Sequence, residues 1–357
     1  MTNILLTFSI VIFIISLFNF FTIRIPKKEE LVNKSVTVLV PMRNEAENVP
    51  EFISALSQQI GLPNLKFIII NDGSTDRTEE LLSTVIEGDP RFIVLNSPLQ
   101  RDGWLGKVSA LQSGYEAAQS EFIVTLDADV RLEPRALVRA VNQLQDLALD
   151  FISPYPKQIA VTFAEKLIQP LLHWSWMSTI ILRLAEKFPR QSTAVGNGQF
   201  FLVRKSALDA IGGFAAVSDE ILDDIELARS LISAGFSGVV TEGSSLASTR
   251  MYSSFEEIKQ GYGKSLWKAF GGPVGTTFAI AFIFFSGILP VILIFKGYLI
   301  GWLSYLYIVF SREISAIRSR SNPLFAFLHP LSSALLIYLI YYSWRNRGKI
   351  QWKGRLV

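Results

Sequence analysis

The alternation of short apolar runs with amphipathic segments limits most how this chain can fold. Runs that are apolar at every position, or nearly so, are typical of buried strands, and apolar residues at helical spacing lie between them. Strands are predicted at residues 36–40, 67–70, 92–95 and 122–126, with helices near 46–58, 76–87, 106–119 and 134–146. Repeated alternation of this kind predicts an α/β fold with a mostly parallel sheet covered on both faces.

Polar motifs follow three of these strands. They are Pro41-Met42-Arg43-Asn44-Glu45, the stretch from Asn71 to Asp76, and Asp127-Ala128-Asp129. Ligands of open parallel sheets bind at the carboxyl ends of the strands, so we expect the three motifs to meet at one edge.

Asp127 and Asp129 are candidate metal ligands. Side chains alternate at a strand end, so these two carboxylates lean the same way. Mg²⁺ and Mn²⁺ are hard ions, commonly held by one or two carboxylates plus substrate phosphates. A solvated turn is the competing interpretation of this triplet.

Most residues of the second motif suit a turn followed by a helix cap, but one residue is not explained in this way. Gly73 permits a tight turn, and Thr75 or Asp76 can cap the helix that follows. Asp72, at the strand end, can accept a hydrogen bond from a nucleobase or a ribose hydroxyl. Lys107 opens a helix after a glycine-broken loop, which favours a phosphate contact, with a plain surface lysine as the alternative.

Composition excludes several classes of chemistry. The 357 residues contain no Cys and two His, which removes disulfides, thiolate sites and multi-His metal sites. The net charge of +3 is small. The basic residues lie beside apolar segments, which indicates a membrane surface and no nucleic-acid partner.

The two ends of the chain predict membrane segments. Residues 4–23 are long enough to span a bilayer as a helix and lack the charged start of a signal peptide. Basic residues follow at once and predict a cytoplasmic domain. Further apolar stretches lie at 275–295, 297–310 and 324–342, the last interrupted by His329-Pro330.

The C-terminal charges conflict with simple spans. Arginines at 312–320 and basic residues at 345–355 both favour the cytoplasm, although one apolar segment separates them. A re-entrant segment around Pro330 or an external tail would resolve the conflict, and we favour the re-entrant segment.

Two internal stretches add to the functional prediction. Residues 163–188 are aromatic and apolar, but carry charges and Pro170, which favours an interfacial helix or an acceptor channel over a span and makes His173 a packed residue. Residues 218–234 predict an amphipathic helix with Ile221, Ile225, Ala228 and Ile232 at helical spacing. Asp223 and Asp224 near its start either complement the helix terminus or do chemistry.

The order and spacing of these motifs resemble family 2 glycosyltransferases of the GT-A type over residues 35–270. The stretches around Arg250-Met251-Tyr252, Gln260 to Lys264 and Trp352 to Arg355 are similar to membrane glycosyltransferases that act on carotenoid acids and to the hopanoid-associated group. No Gln-x-x-Arg-Trp motif of processive members precedes the last helices, so a single transfer is favoured over polymer synthesis.

The resemblance implies roles for matching positions. Asp72 would contact the uracil of a UDP-sugar, with Pro41 and Glu45 shaping the nucleoside pocket. Asp127 would act through ribose and metal, Asp129 through the metal. Asp224 aligns with the general base of an inverting transfer and Asp223 precedes it. The candidate donor contacts also include Lys107, Asn197, Gly198 and Arg250, with plain turn duty as the alternative for Asn197 and Gly198.

The predicted function is transfer of one sugar, expected to be glucose from UDP-glucose with Mg²⁺ or Mn²⁺, to a lipid such as a carotenoid acid. Alternatives are a sphingolipid, hopanoid or polyprenyl-phosphate acceptor, polysaccharide elongation, and a non-catalytic nucleotide-sugar-binding scaffold. The expected organisation is an anchor at 1–25, a cytoplasmic domain at 35–270, membrane or re-entrant helices at 273–343 and a basic tail at 344–357.

Overall fold

The computed structural model describes residues 2–86, 88–96, 100–349, 351–352 and 355–356. It divides into two compact units. The sheet unit comprises Arg24–Lys157 and Leu184–Thr249, and the helical unit comprises Met1–Ile23, Gln158–Arg183 and Arg250–Val357. Lys353 and Gly354, part of the predicted tail motif, lie outside the described residues.

The regular elements are as follows. The strands are β1 (Val36–Met42), β2 (Leu65–Asn71), β3 (Phe92–Asn96), β4 (Phe122–Leu126), β5 (Val130–Leu132), β6 (Phe151–Tyr155), β7 (Lys157–Gln158), β8 (Phe200–Arg204), β9 (Gly238–Glu242), β10 (Ala247–Thr249), β11 (Gln351–Trp352) and β12 (Arg355–Leu356). The α-helices are α1 (Thr2–Thr22), α2 (Val49–Ser57), α3 (Thr78–Val85), α4 (Gly106–Ala117), α5 (Ala136–Asp146), α6 (Phe163–Thr179), α7 (Leu182–Lys187), α8 (Lys205–Ala210), α9 (Asp223–Ser233), α10 (Phe255–Ala269), α11 (Pro273–Ile283), α12 (Leu289–Phe295), α13 (Leu299–Arg318) and α14 (His329–Arg345). Short 3₁₀ helices span Gln191–Thr193, Gly213–Val217 and Pro323–Leu328, and a π-helical turn spans Phe284–Ile288.

A seven-stranded sheet in the order β3-β2-β1-β4-β8-β6-β9 organises the sheet unit. All neighbouring strands pair in parallel except β8, which is antiparallel to both β4 and β6. The mostly parallel α/β prediction is therefore confirmed. One edge of this sheet carries the carboxyl ends of the parallel strands together with the amino end of β8.

Two apolar layers cover the sheet, because successive strand residues face opposite sides. In β1, Val38 and Val40 join the layer that includes α2 and α5. Leu39, between them, joins the layer that includes α4 and α9. Both faces are buried, which explains why the strands read as continuous apolar runs.

The structure corrects one helix of the sheet unit. The helix predicted over 218–234 begins only at Asp223, after the 3₁₀ turn Gly213–Val217. Its buried face is formed by Leu227, Ala228 and Leu231. Ile221 precedes the helix, and Ile225 and Ile232 are only half-buried. The late start puts both acidic residues into the first turn.

Among the described residues, three helices of the helical unit are long and apolar enough to cross a bilayer: Asn3–Thr22, Pro273–Phe295 and Pro323–Arg345. The helix α13 runs to Arg318, beyond the apolar run predicted at 297–310. The stretch 163–188 contains two helices, α6 and α7, rather than one.

Contacts within the helical unit fix the directions of its helices. Ser16 meets Ser311, and Arg318 donates to the carbonyl of Phe20, so α1 and α13 run parallel. At the other end, Tyr305 donates to the carbonyl of Phe327, 2.7 Å away.

The helix α14 returns toward the end of the unit where α1 finishes. Trp344 Nε1 donates to Thr276 Oγ1 near the start of α11, at 3.2 Å. A Cβ at Gly301 would meet Ile294 N at 2.6 Å, so α13 starts where α12 ends and runs antiparallel to α11 and α12. Arg318 and Arg345 therefore lie at the same end of this unit.

Candidate active site

The loops after β1 and β2 are locked together by hydrogen bonds. Asn44, at a positive φ of 52°, accepts from Thr75 N at 2.8 Å. Ala46 N donates to Asp76 Oδ2 at 3.1 Å, and Arg43 Nη1 donates to the carbonyl of Asp72 at 2.7 Å. Small polar side chains satisfy backbone groups that no strand can pair, so the two loops form one surface.

The predicted turn and cap chemistry of this loop is partly confirmed. Gly73 has a φ of 63°, the left-handed conformation that glycine tolerates best. Asp76 accepts from Thr78 N, the first residue of α3, at 3.0 Å. Thr75 does not cap α3, because it bonds to Asn44 instead.

The predicted nucleoside residues lie at the ends of β1 and β2. Asp72 is buried, and its N–H donates to the carbonyl of Met42 at 2.8 Å. Pro41 pairs in register with Ile70. Glu45 accepts from Asn48 Nδ2 at 2.8 Å, and its backbone N–H donates to Thr78 Oγ1. The structure brings these three residues to one edge of the sheet.

Lys107 is the cation at the centre of the acidic edge. It lies in the first turn of α4, with Nζ 2.8 Å from Asp127 Oδ1 and 4.0 Å from Asp223 Oδ2. Burial lowers the pKa of Lys107, but the carboxylates of Asp127 and Asp223 outweigh it, and the net pKa is raised. The ammonium therefore stays charged and links the strand end of β4 to the start of α9.

Asp129 is anchored by a residue that sequence reasoning missed. Thr249 Oγ1, at the end of β10, donates to Asp129 Oδ2 at 2.8 Å. Burial and the nearby Asp127 carboxylate raise the pKa of Asp129 well above its usual range, although the Thr249 bond opposes this. A cation bound beside the two carboxylates would lower this pKa again.

The Asp127 and Asp129 oxygens fit a hard divalent cation. Among the described residues, no group of three or more His, Asp or Glu side chains is arranged to hold a metal ion. A cation here would therefore take two carboxylates from the chain and its other ligands from a bound phosphate or water.

Asp224 is held in place by backbone N–H groups. Gly198 N donates to its Oδ2 at 2.7 Å and Ile225 N to its Oδ1 at 2.8 Å. Burial and repulsion from Asp223 raise the pKa of Asp224, Lys107 and the two N–H bonds lower it, and the result is about 6. Such a carboxylate is ionised at neutral pH yet basic enough to take a proton.

Close packing of a glycine loop against α9 makes this geometry possible. A Cβ at Gly196 would lie 2.3 Å from the carbonyl oxygen of Asp224, a contact that no side chain permits. A Cβ at Gly198 would lie 3.0 Å from Lys107 Nζ. Gly196 therefore serves the close approach of two backbones, which plain turn duty does not require, whereas the atoms near Gly198 belong to the side chains of Lys107 and Asp224.

The remaining polar residues of this edge support the loop. Asn197 N donates to Ser153 Oγ at 2.9 Å, and Asn197 Oδ1 accepts from Gln199 N at 3.0 Å. Burial and the Asp224 charge raise the pKa of Tyr155, at the end of β6. Ser153, Tyr155 and Thr249 were not predicted. The signal that could have found Tyr155 is its place at the end of the buried strand β6, in which Ser153 is the central residue.

Arg250 belongs to the helical unit, where it pairs with Glu165 at 3.1 Å. The Glu165 side chain is fully buried. This ion pair accounts for Arg250 within its own unit, and its predicted contact with the donor stays a prediction.

Part of the amino-acid sequence matches a known protein family. Residues 37–212 match the family model described as Glycosyl transferase family 2. This segment of the chain belongs to that family. The predicted resemblance and the assignment as a transferase enzyme are thus confirmed, and the scaffold alternative is not supported.

Two relatives of this family 2 glycosyltransferase differ in how much they share with it. A 4,4'-diaponeurosporenoate glycosyltransferase of Staphylococcus aureus (strain MRSA252) is 25% identical over 90% of this chain and 88% of the relative. An undecaprenyl-phosphate 4-deoxy-4-formamido-L-arabinose transferase of Pectobacterium carotovorum subsp. carotovorum (strain PC1) is 37% identical over 30% of this chain. The chain aligns with only about a third of the second relative's length, 33%.

A solved structure shares the fold. It is a mannosyltransferase from Pyrobaculum calidifontis in complex with GDP-Man and Mn²⁺, with a TM-score of 0.51 and 16% identity over 95% of this chain and 96% of that chain. The similarity supports the GT-A fold expected from the sequence.

Proposed function

We propose that this enzyme is a membrane-bound glycosyltransferase that transfers one sugar from a nucleotide-diphosphate sugar to a lipid acceptor such as a carotenoid acid. The expected donor is UDP-glucose. The observation that carries the proposal is the position of the Asp224 carboxylate, held by Gly198 N–H on the same sheet edge as the Lys107–Asp127 pair. A carboxylate that can act as a base, a pair of acidic residues and a lysine that can contact a diphosphate thus lie at one edge of the sheet.

The donor would lie along the ends of β1, β2 and β4. Asp72, Pro41 and Glu45 would surround the nucleoside, and Lys107 would exchange part of its contact with Asp127 for the diphosphate. Asp127 and Asp129 would hold a Mg²⁺ or Mn²⁺ ion, which would stabilise negative charge on the leaving nucleotide. The solved neighbour's Mn²⁺ and nucleotide sugar support this part of the proposal.

The transfer would be a single displacement. The acceptor oxygen attacks the anomeric carbon, the bond from that carbon to the diphosphate oxygen breaks, and the configuration inverts. For a hydroxyl acceptor the proton passes to Asp224, for which Asp223 supplies part of the raised basicity. A carboxylic acid acceptor is already ionised and has no proton to give up, so the base role of Asp224 would matter less.

The lipid acceptor is supported by the helical unit and by the relatives. The carotenoid-acid relative aligns along nearly the whole chain, including the apolar helices. A polyprenyl-phosphate acceptor is the second candidate, supported by the higher identity of the undecaprenyl-phosphate relative over a shorter stretch. We propose a multi-pass protein of the cell membrane with the sheet unit in the cytoplasm.

The test uses purified full-length protein in nanodiscs with UDP-glucose and Mg²⁺. We expect UDP release that EDTA abolishes, and a hexose mass added to a carotenoid acid or to undecaprenyl phosphate. Asp224→Asn should lower turnover on a hydroxyl acceptor by about 10²–10⁴-fold with unchanged donor binding. The control is Asp219→Asn, which alters an exposed aspartate and should leave turnover unchanged.

Two outcomes would count against the proposal. Turnover of Asp224→Asn within tenfold of wild type on a hydroxyl acceptor would exclude the base role. Metal-independent turnover would exclude the cation at Asp127 and Asp129. Comparing UDP-glucose with GDP-glucose in the same assay identifies the nucleotide.

A further inference from the structure

Arg312 is a buried cation in the apolar interior of the helical unit. It lies in α13, six residues before the helix ends at Arg318, and its exposed fraction is 9%. Its guanidinium carbon is 4.3 Å from the centroid of the Trp174 ring. The guanidinium thus has an aromatic face beneath it, which fixes its plane.

Several polar groups near Arg312 are paired with one another. Trp174 Nε1 donates to Ser311 Oγ at 2.8 Å, and Ser311 Oγ is 2.7 Å from Ser16 Oγ. His173 Nδ1 is 2.7 Å from Ser315 Oγ. These pairs form a polar layer between α1, α6 and α13, and none of them uses the guanidinium.

Within the described part of the chain, Arg312 forms no hydrogen bond and no ion pair, and its Nε is buried without a partner. Other charged groups of this unit differ. The buried carboxylate of Glu165 is matched by Arg250, and Arg318 donates to the carbonyl of Phe20. Unlike Arg318, whose Nη2 has a carbonyl acceptor, Arg312 has neither a hydrogen-bond acceptor nor an anion among the described residues.

A buried guanidinium without an anion is costly, and the attraction of one indole ring offsets only part of that cost. Ionisable residues inside apolar helix bundles therefore commonly mark binding sites. The planar fork of arginine matches the two oxygens of a carboxylate or phosphate better than any other cationic side chain does.

We propose that Arg312 binds the anionic headgroup, a carboxylate or a phosphate, of the acceptor lipid. The inference rests on the proposed transfer to a lipid and names the residue that selects an acidic acceptor. Six helical residues place Arg312 about 9 Å from the end of α13. An amphiphile can bring its charged group to that depth while its chain stays among apolar helices, which a free anion in water cannot do.

The experiment measures binding of two matched probe pairs to full-length protein in neutral detergent. The pairs are retinoic acid with its methyl ester, and farnesyl phosphate with farnesol. Wild-type protein should bind each acid about tenfold or more tightly than its neutral partner, because the acid alone can accept charge-assisted hydrogen bonds. Arg312→Gln should reduce this ratio to about twofold or less.

Two further variants make the result specific. Arg312→Lys keeps the charge and loses the planar fork, so we expect an intermediate ratio. Arg318→Gln removes a cation of the same helix that has a backbone acceptor, and its ratio should equal that of wild type. If Arg312→Gln fails to fold, the ratio of Arg312→Lys decides, and an unchanged ratio there overturns the proposal.

The source of the headgroup is tested by competition. Phosphatidylglycerol added at equal mole fraction should displace retinoic acid weakly; equal displacement would make this a bilayer-lipid site and overturn the acceptor assignment. Release of UDP by the wild-type protein is recorded in parallel. Its absence would refute the proposed transfer, whereas the acid-to-ester ratio would still test Arg312.

Discussion

Lys107 and Arg312 show how differently the two units treat a cation. Lys107 lies among three carboxylates, those of Asp127, Asp223 and Asp224, which raise its pKa. Arg312 has an indole face and no carboxylate among the described residues. The carboxylates of the sheet unit thus already share a cation of the chain, whereas Arg312 has no anion beside it among the described residues. Substitutions in either unit test this difference.

The largest effect concerns the side of the membrane on which the tail lies. The chain contains no Cys, so single cysteines can be introduced. Because Arg318 and Arg345 lie at the same end of the helical unit, Lys349→Cys and Lys27→Cys should both react with an impermeant maleimide only after cells are permeabilised. Lys296→Cys, between α12 and α13, should react in intact cells. Reaction of Lys349→Cys in intact cells would contradict the re-entrant segment.

Removing the cation of the sheet unit should have the next largest effect. In Lys107→Gln the carboxylates of Asp127, Asp223 and Asp224 lose their shared counter-charge, and kcat/KM for the donor should fall by about 10²–10³-fold. Lys34→Gln, which removes an exposed ion pair with Glu121, is the control and should stay near wild type. Steady-state kinetics with a fixed acceptor measure both. A loss below tenfold would mean that Lys107 is only structural.

The pH profile tests the base. The raised pKa of Asp224, about 6, means that the carboxylate is deprotonated above that pH and protonated below it. With a hydroxyl acceptor, kcat/KM should fall about tenfold per pH unit below 6 and level off above it. Lys107→Gln should move the midpoint upward, since Lys107 lowers this pKa. A flat profile from pH 5 to 7 would contradict the assignment.

The smallest effect is expected at Thr249. Thr249→Val removes the hydrogen bond to Asp129 and should raise the Mn²⁺ concentration for half-maximal activity several-fold, the scale of one hydrogen bond to a charged group. Thr241→Val is the matched control, because its buried hydroxyl has no hydrogen-bond partner in the described structure. Titration of activity with Mn²⁺ distinguishes the two variants. Equal responses would remove Thr249 from the metal site.

Local periodicity was enough to predict β1 to β4, because short runs of apolar residues are typical of strands in such a sheet. It did not predict β6 and β9, which complete the sheet. Short motifs at the strand ends likewise predicted that Asp72 and Asp127 lie at one edge. Lys107 was predicted from its place at a helix start, and the role of Asp224 from the resemblance to the family. Sequence could not reveal Thr249, because its partner Asp129 is 120 residues away and the link depends on how β5 and β10 pair.

Two other features also depended on tertiary structure. The start of α9 at Asp223 is set by the preceding 3₁₀ turn, which the apolar spacing of Ile221 and Ile225 did not indicate. The sequence indicated Arg312 only as one of the charges that bear on membrane topology. Nothing near it along the chain predicts that the Trp174 ring would lie against it.

The reversed direction of β8 has a consequence for how this enzyme can change. The parallel strands have their carboxyl ends at the edge of the sheet where the candidate site lies. The antiparallel strand β8 starts at that edge, and the loop before it supplies the Gly198 N–H group that holds Asp224. The carboxylate proposed as the base is therefore held partly by main chain. A change of side chain elsewhere in this loop would leave that N–H group in place.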